Sequence, residues 1–225
     1  MILMLQSIAF IPDGNRRFAR KHSIDLLRAY ELGFKTAEKV LNWCLKLPYL
    51  KVVTMYALST ENLRRKSVEL SILKKLFRKY LREFALHKKL HDNEVKVKII
   101  GKRDALPDLR EDIRYLEEKT QDYKKYELNI ALGYGGRDEL INAIKALKLN
   151  GEKVTEENIK KHLYMPHDVD LIVRTGSYQR LSNFLPWQAV YSELYFSKRL
   201  WPEFDRREFN KAIDFYRSTQ RNFGK

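Results

Sequence analysis

Apolar residues recur along the chain in two alternating rhythms. Short runs rich in Val, Ile and Leu fall at Ser7–Ile11, Val52–Leu58, Val95–Ile100, Leu128–Leu132 and Leu171–Val173, and their length and composition predict buried strands. Between them apolar positions return every three or four residues. That spacing predicts helices over Leu26–Leu45, Ser67–Leu90, Leu109–Thr120, Arg137–Leu147, Glu156–His162 and Arg206–Tyr216. Strands that alternate with helices predict an α/β fold, a mostly parallel central sheet with helices packed on both faces. No repeat, low-complexity segment or long linker divides the chain, so residues 1–225 are expected to form one domain.

The helical rhythm is clearest over Ser67–Leu90. Leu73, Leu76, Phe77, Tyr80, Leu81 and Phe84 make one stripe, and Lys74, Lys75, Arg78, Lys79, Arg82, Lys88 and Lys89 lie off it. The pattern fits a core-facing stripe with solvated charges. It also fits an apolar wall for a long ligand, with a basic face toward an anionic lipid surface.

Composition excludes several classes. Hydrophobic residues make up 44% and charged residues 32%, a globular balance and not that of a disordered chain. The single cysteine, Cys44, leaves no internal disulfide framework and no cysteine-based zinc site. The longest uncharged stretches, residues 1–12 and 181–192, fall short of the about 18 apolar residues that a transmembrane helix needs. The first also lacks the basic start and cleavage site of a signal peptide, so a cytoplasmic protein is expected. Lys and Arg number 44 against 29 Asp and Glu, a net charge of +15 that predicts polyanionic partners. The basic residues are spread along the chain and match no zinc-finger, RNP or basic-zipper pattern, so nucleic acid is not the expected partner.

In α/β sheets ligands bind beyond the carboxyl ends of the strands. The first such loop reads Pro12-Asp13-Gly14-Asn15-Arg16-Arg17 and opens a helical segment. A glycine permitting close approach, free helix N–H groups and two arginines suit a diphosphate, and Asp13 could hold a magnesium ion on it. The same residues fit a helix cap with two solvated arginines, and the segment alone does not choose. After the fifth strand, Arg174 and Arg180 flank Gly176 and hydroxyl residues, which suits a second diphosphate or an ordinary turn. The exit of the second strand, Ser59-Thr60-Glu61-Asn62, is dense in polar groups. Gly133-Tyr134-Gly135-Gly136 fails the dinucleotide pattern at Asp138 and is expected to form a tight strand-to-helix turn. His87 and His91 stand one helical turn apart without a metalloprotease acidic partner, and surface histidines are expected there.

Taken in order, PDGNRRFAR, LSTENLRR, LNIALGYGGRDEL, VDLIVRT and RLSNFLPWQAVYSELYF followed by LWPEF resemble the cis-prenyltransferases, from Ile8 to Gly224. The resemblance implies an enzyme that joins isopentenyl diphosphate to an allylic diphosphate with magnesium and no organic cofactor, as a homodimer, with peripheral membrane contact. It implies that Asp13 and Glu193 serve the metal, and that Gly14, Asn15, Arg16, Arg17 and Phe18 hold the allylic substrate. Ser59, Thr60, Glu61, Leu63 and Arg65 would line the site, with Asn62 at the position of proton removal. Arg174, Arg180, Leu181 and Ser182 would take the isopentenyl diphosphate. A non-catalytic partner subunit is the alternative, although such subunits lose the Asp-Gly-Asn-Arg motif kept here.

The chain departs from the family pattern at several positions. An Arg and a His that the family uses for the allylic diphosphate are Leu26 and Tyr30, with Arg28 a candidate to compensate. The usual Trp is Leu63, and the acidic residue between the two diphosphate arginines is Tyr178. The terminal Arg-x-Gly reads Asn222-Phe223-Gly224, with Arg221 one position early. Val97 is the expected floor of the tunnel that sets product length.

Overall fold

The computed structural model describes residues 4–219, so the departure at Asn222 lies outside the described residues. β1 (Ser7–Ile11) is buried at every position, with Ile8 and Phe10 in one hydrophobic cluster and Ala9 and Ile11 in another. That alternation is the period of a central strand covered on both faces. Then follow α1 (Asn15–Lys21), α2 (Leu26–Cys44), β2 (Val52–Ser59), α3 (Ser67–Ala85), α4 (Lys88–Asp92) and β3 (Val95–Ile100). The chain continues through α5 (Arg110–Thr120), β4 (Tyr126–Tyr134), α6 (Gly136–Leu149), α7 (Glu156–His162), β5 (Leu171–Arg174), β6 (Glu193–Phe196) and α8 (Arg206–Ser218).

The six strands pair in the order β3-β4-β2-β1-β5-β6, and every pairing is parallel. On one face α2, α3, α5 and α8 cover Phe10, Met55, Val97, Leu128 and Val173. On the other, Met165, Phe184 and Leu185 pack on Ala9, Tyr56, Ala131 and Ile172. From β1 the chain crosses to β2 on one side, whereas from β5 it crosses to β6 on the other. The carboxyl ends of β1 and β5 therefore border the crevice where strand order reverses, the place where such sheets bind ligands.

Two elements differ from expectation. The expected Ser67–Leu90 helix breaks at Leu86 and His87, because His91 turns back to the Ala85 carbonyl with its Nε2 at 2.8 Å. Its Nδ1 meets Tyr123 Oη at 2.8 Å, so His91 is a half-buried structural residue and not a surface one. β6 was not expected; it is only four residues long, at the sheet edge, where burial imposes a weak pattern. The Gly133–Gly136 segment forms the expected turn, with Gly135 at the α6 cap. Among the described residues no helix is long and apolar enough to cross a membrane.

Candidate active site

The crevice opens into a cleft of about 1250 Å³. Its mouth carries Asp13, Arg16, Arg17, Arg20, Arg65, Arg174 and Arg180, and its depth is walled by Phe34, Ala37, Met55, Ala57, Leu58, Leu73 and Phe77. The polar end lies at the strand termini and the apolar end between α2 and α3.

Asp13 follows β1, and the α1 cap position falls on Gly14 with no side-chain cap hydrogen bond, so Asp13 is not a helix cap. Its backbone is fixed instead: its N–H donates to Thr175 Oγ1 at 2.9 Å, and its carbonyl accepts from Thr175 Oγ1 at 2.7 Å and Trp201 N at 3.0 Å. Its carboxylate accepts from Arg174 Nη2 at 2.8 Å and lies 3.2 Å from Arg17 Nη2. Gly14 has φ +116°, and a Cβ there would sit 2.9 Å from Leu200 Cδ2; Gly176 has φ +85°, and a Cβ there would sit 2.3 Å from Arg17 Nη2. Glycine at these two positions lets the strand exits close on each other.

Arg174 ends β5 with its side chain 5% exposed. Besides Asp13, it donates to Ser182 Oγ at 2.7 Å and to the Arg180 carbonyl. Supply of donors nevertheless exceeds demand. Of six buried side-chain polar atoms without a hydrogen-bond partner among the described residues, the donors Arg17 Nη2 and Arg174 Nε and the acceptor Asn15 Oδ1 belong to cleft residues. Arg17 Nη2 is in charge contact with Asp13 but not aligned to donate to it. Unpaired buried polar atoms are costly, and several around one cleft point to a ligand that completes them. The loop from β5 to β6 is also strained: Ser177, Ser182, Asn183 and Leu185 have φ of 70°, 52°, 64° and 48°. Such conformations gather at ligand-binding sites.

Opposite them, Asn62 sits in a 3-10 turn after β2, its N–H and Nδ2 both donating to Ser59 Oγ, at 3.1 and 2.7 Å. Glu61 accepts from Asn183 Nδ2 at 3.0 Å. Burial pushes the Glu61 carboxyl up, but hydrogen bonds from its own backbone, Asn183, Ser59 and Thr60 outweigh it and hold the pKa below the usual range.

Tyr30 takes part in a network that sequence reading missed. Its hydroxyl donates to Glu69 Oε1 at 2.6 Å, while Arg65 Nη1 donates to Tyr30 Oη at 2.9 Å and to Glu69 at 2.8 Å. Arg16 Nε lies 3.8 Å from the same carboxylate. Burial, then the Glu69 hydrogen bond, drive the Tyr30 phenol well above its ordinary pKa, so it remains a neutral donor. Arg28, the candidate to compensate for Leu26, pairs with Glu31 at 3.3 Å, has its side chain 53% exposed and does not line the cleft.

Of the expected site residues, Asp13, Gly14, Asn15, Arg16, Arg17, Ser59, Glu61, Asn62, Arg65, Arg174, Arg180 and Ser182 line this cleft. Five do not. Phe18 packs on His22, ring centroids 4.2 Å apart, and Thr60 holds the strand exit through its N–H to the Tyr134 carbonyl at 2.9 Å. Leu63 packs against the cluster behind α3, and Leu181 against the one on the other face of the sheet. Glu193 opens β6 level with Leu171, three residues before the Arg174–Phe196 pair and so about 10 Å down the sheet. Asp13 and Glu193 are therefore not brought together within one chain. Val97 is buried in the core and does not line the cleft.

A family model described as "Putative undecaprenyl diphosphate synthase" matches residues 11–224. A relative from Pyrobaculum aerophilum, named tritrans,polycis-undecaprenyl-diphosphate synthase (geranylgeranyl-diphosphate specific), is 44% identical over 97% of this chain and 95% of its own length. One of the same name from Thermoplasma acidophilum is 42% identical over 97% of this chain and 88% of its own length. Among solved structures, lavandulyl diphosphate synthase from Lavandula x intermedia, in complex with dimethylallyl diphosphate, superposes with TM-score 0.91 at 28% identity, covering 99% of both chains. A "probable undecaprenyl diphosphate synthase" from Campylobacter jejuni superposes with TM-score 0.85 at 35% identity, covering 100% of both.

Proposed function

The chain belongs to the undecaprenyl diphosphate synthase family of prenyltransferases, and we propose that it condenses isopentenyl diphosphate with an allylic diphosphate primer, farnesyl or geranylgeranyl diphosphate, forming Z double bonds. The product is a long polyprenyl diphosphate, a carrier lipid for glycans. One observation carries this reading: the cleft joins an arginine-rich mouth, left with unpaired buried donors, to an apolar depth between two helices. That shape suits a molecule with a diphosphate head and a hydrocarbon tail. The geranylgeranyl specificity in the two relatives' names favours that primer.

The donor set fits a divalent ion. Asp13 offers one hard carboxylate at the mouth, and among the described residues no cluster of three or more His, Cys, Asp or Glu is present. Magnesium is commonly held by one or two carboxylates plus substrate phosphates, so Asp13 would hold it with the diphosphate. Bound there, magnesium would neutralise charge on the departing diphosphate.

The remaining roles fall to the chain itself. Asn15, Arg16 and Arg17 hold the allylic diphosphate, and Arg174, Arg180 and Ser182 hold that of isopentenyl diphosphate, placing the two reacting carbons side by side. Ser59 orients the Asn62 amide through its Nδ2–H, and Oδ1 would meet the proton to be lost. An amide is too weak a base to keep that proton, so a diphosphate oxygen is its final acceptor. The apolar walls exclude water from the allylic cation. Phe34 and Phe77 line the apolar end of the cleft and meet edge-on at 5.3 Å, with Tyr80 stacked behind Phe34 at 4.3 Å; in this reading they, and not Val97, stop chain growth.

A homodimer, a cytoplasmic location and peripheral lipid contact belong to the same reading. The basic residues of α3 would give only part of that contact, because Lys74, Arg78 and Arg82 pair with Asp108 and Asp112. Incorporation of labelled isopentenyl diphosphate, with each primer and with or without magnesium, tests the proposal. Magnesium-dependent polyprenyl product, lost in Asp13→Ala, is expected; no product with any primer would overturn it.

A further inference from the structure

Three guanidinium groups converge on one aromatic ring. The Cζ atoms of Arg180, Arg17 and Arg174 lie 4.1, 4.6 and 5.9 Å from the centroid of the Tyr178 ring. All three distances are within the reach of cation–π attraction. The arginines come from separate places: α1, the end of β5 and the loop that follows it. A single carboxylate, Asp13, pairs with two of them, and among the described residues Arg180 makes no ion pair. Left to themselves, three like charges would spread apart and keep their long side chains mobile.

We propose that Tyr178 is a positioning residue whose ring gathers Arg174 and Arg180 into the cradle for the diphosphate of isopentenyl diphosphate and fixes Arg17, on the allylic side, at the border of that cradle. This rests on the functional reading above. At this position the family resemblance leads one to expect an acidic residue, and the difference has a physical consequence. A carboxylate would hold the arginines by ion pairs that an incoming diphosphate must break. The ring holds them without adding an anion, so the cradle keeps one more net positive charge and none of its N–H donors is spent on residue 178. The arginines are also ordered before the ligand arrives, which lowers the entropic cost of binding. Tyr178 is 44% exposed, so its ring does not belong to the core.

The test is calorimetric titration of the native chain, Tyr178→Phe and Tyr178→Leu with inorganic diphosphate in magnesium buffer, alongside KM and kcat for isopentenyl diphosphate. Tyr178→Phe keeps the ring and should bind within about twofold of the native chain. Tyr178→Leu keeps bulk without the ring and should bind about three- to tenfold more weakly, with KM raised by a similar factor and kcat changed less. Tyr178→Gln provides a second ring-free replacement, and the unfolding midpoints of all variants should coincide. Native affinity in Tyr178→Leu and Tyr178→Gln would overturn the proposal, as would a loss in Tyr178→Phe as large as in Tyr178→Leu. Failure here is separable from failure of the functional reading. The inference fails alone if the native chain makes polyprenyl product but the ring does not matter to binding; the reading fails alone if ring-dependent binding is seen without turnover.

Discussion

Two carboxylates follow strand exits of the same sheet and are surrounded in opposite ways. Glu139, in the first turn of α6, is 1% exposed and meets only neutral donors. Its oxygens accept from Tyr164 N at 2.9 Å, from Gln188 Nε2 at 3.3 and 3.2 Å, and from the Tyr134 hydroxyl. Burial pushes its carboxyl pKa up, against those hydrogen bonds. Asp13, after β1, faces two guanidinium groups and keeps its side chain 29% exposed, while Arg17 Nη2 and Arg174 Nε beside it have no hydrogen-bond partner. A carboxylate saturated by neutral donors locks loops together. A carboxylate set among surplus cations and open to a cleft is waiting for an anion. The contrast separates architecture from site more sharply than burial or charge does alone.

Substitution can break the contrast. Asp13→Asn keeps an acceptor for Arg174 but removes the charge, and should lower turnover by about 10²–10³-fold while moving the unfolding midpoint little. Steady-state incorporation and thermal unfolding on the same sample would check this. Glu139→Gln should do the reverse. An amide group then opposes Gln188 Nε2, and stability should fall by about 1–3 kcal/mol in urea titrations, with turnover per folded molecule retained.

Smaller effects sharpen it. Phe77→Ala enlarges the apolar end of the cleft, so chromatography of products should show a shift to longer chains; Val97→Ala, outside the cleft wall, should leave the distribution in place. At high pH the Glu139 cluster should weaken through Tyr134, and the rest of the fold through its other buried tyrosines. Burial, then Glu208, raise Tyr195 from 10.0 to about 12, and burial raises Tyr30, Tyr56 and Tyr134 further still. Each holds its proton more tightly folded than unfolded, so the stability it lends is complete below about pH 10 and falls as pH rises above that. Urea midpoints should fall steadily from pH 9.5 to 11.5; a flat profile would contradict the shifts.

Much of the fold was legible in the sequence because the five expected strands are central or well buried and carry dense Val, Ile and Leu. β6 was not, since Glu-Leu-Tyr-Phe at an edge carries no strong alternation. The helix break at Leu86 was hidden because Leu90 keeps the apolar rhythm across it. The site residues that share a motif, such as Asp13 to Arg17, meet as expected. Partnerships that depend on the fold were not readable: Tyr30 reaches Arg65 and Glu69 across 35 and 39 positions, and Glu193 is carried to the far end of its strand. Tyr178 stood out only as a departure, and its role depends on three arginines that the strand order brings together.

The most direct test of the central claim is the unfolding midpoint of the native chain as inorganic diphosphate and magnesium are added. If the unpaired donors at the mouth are a diphosphate seat, the folded state should gain about 2.7 kcal/mol at a hundredfold excess over Kd, and Asp13→Asn should gain much less. A midpoint that does not move at any diphosphate concentration would contradict the account.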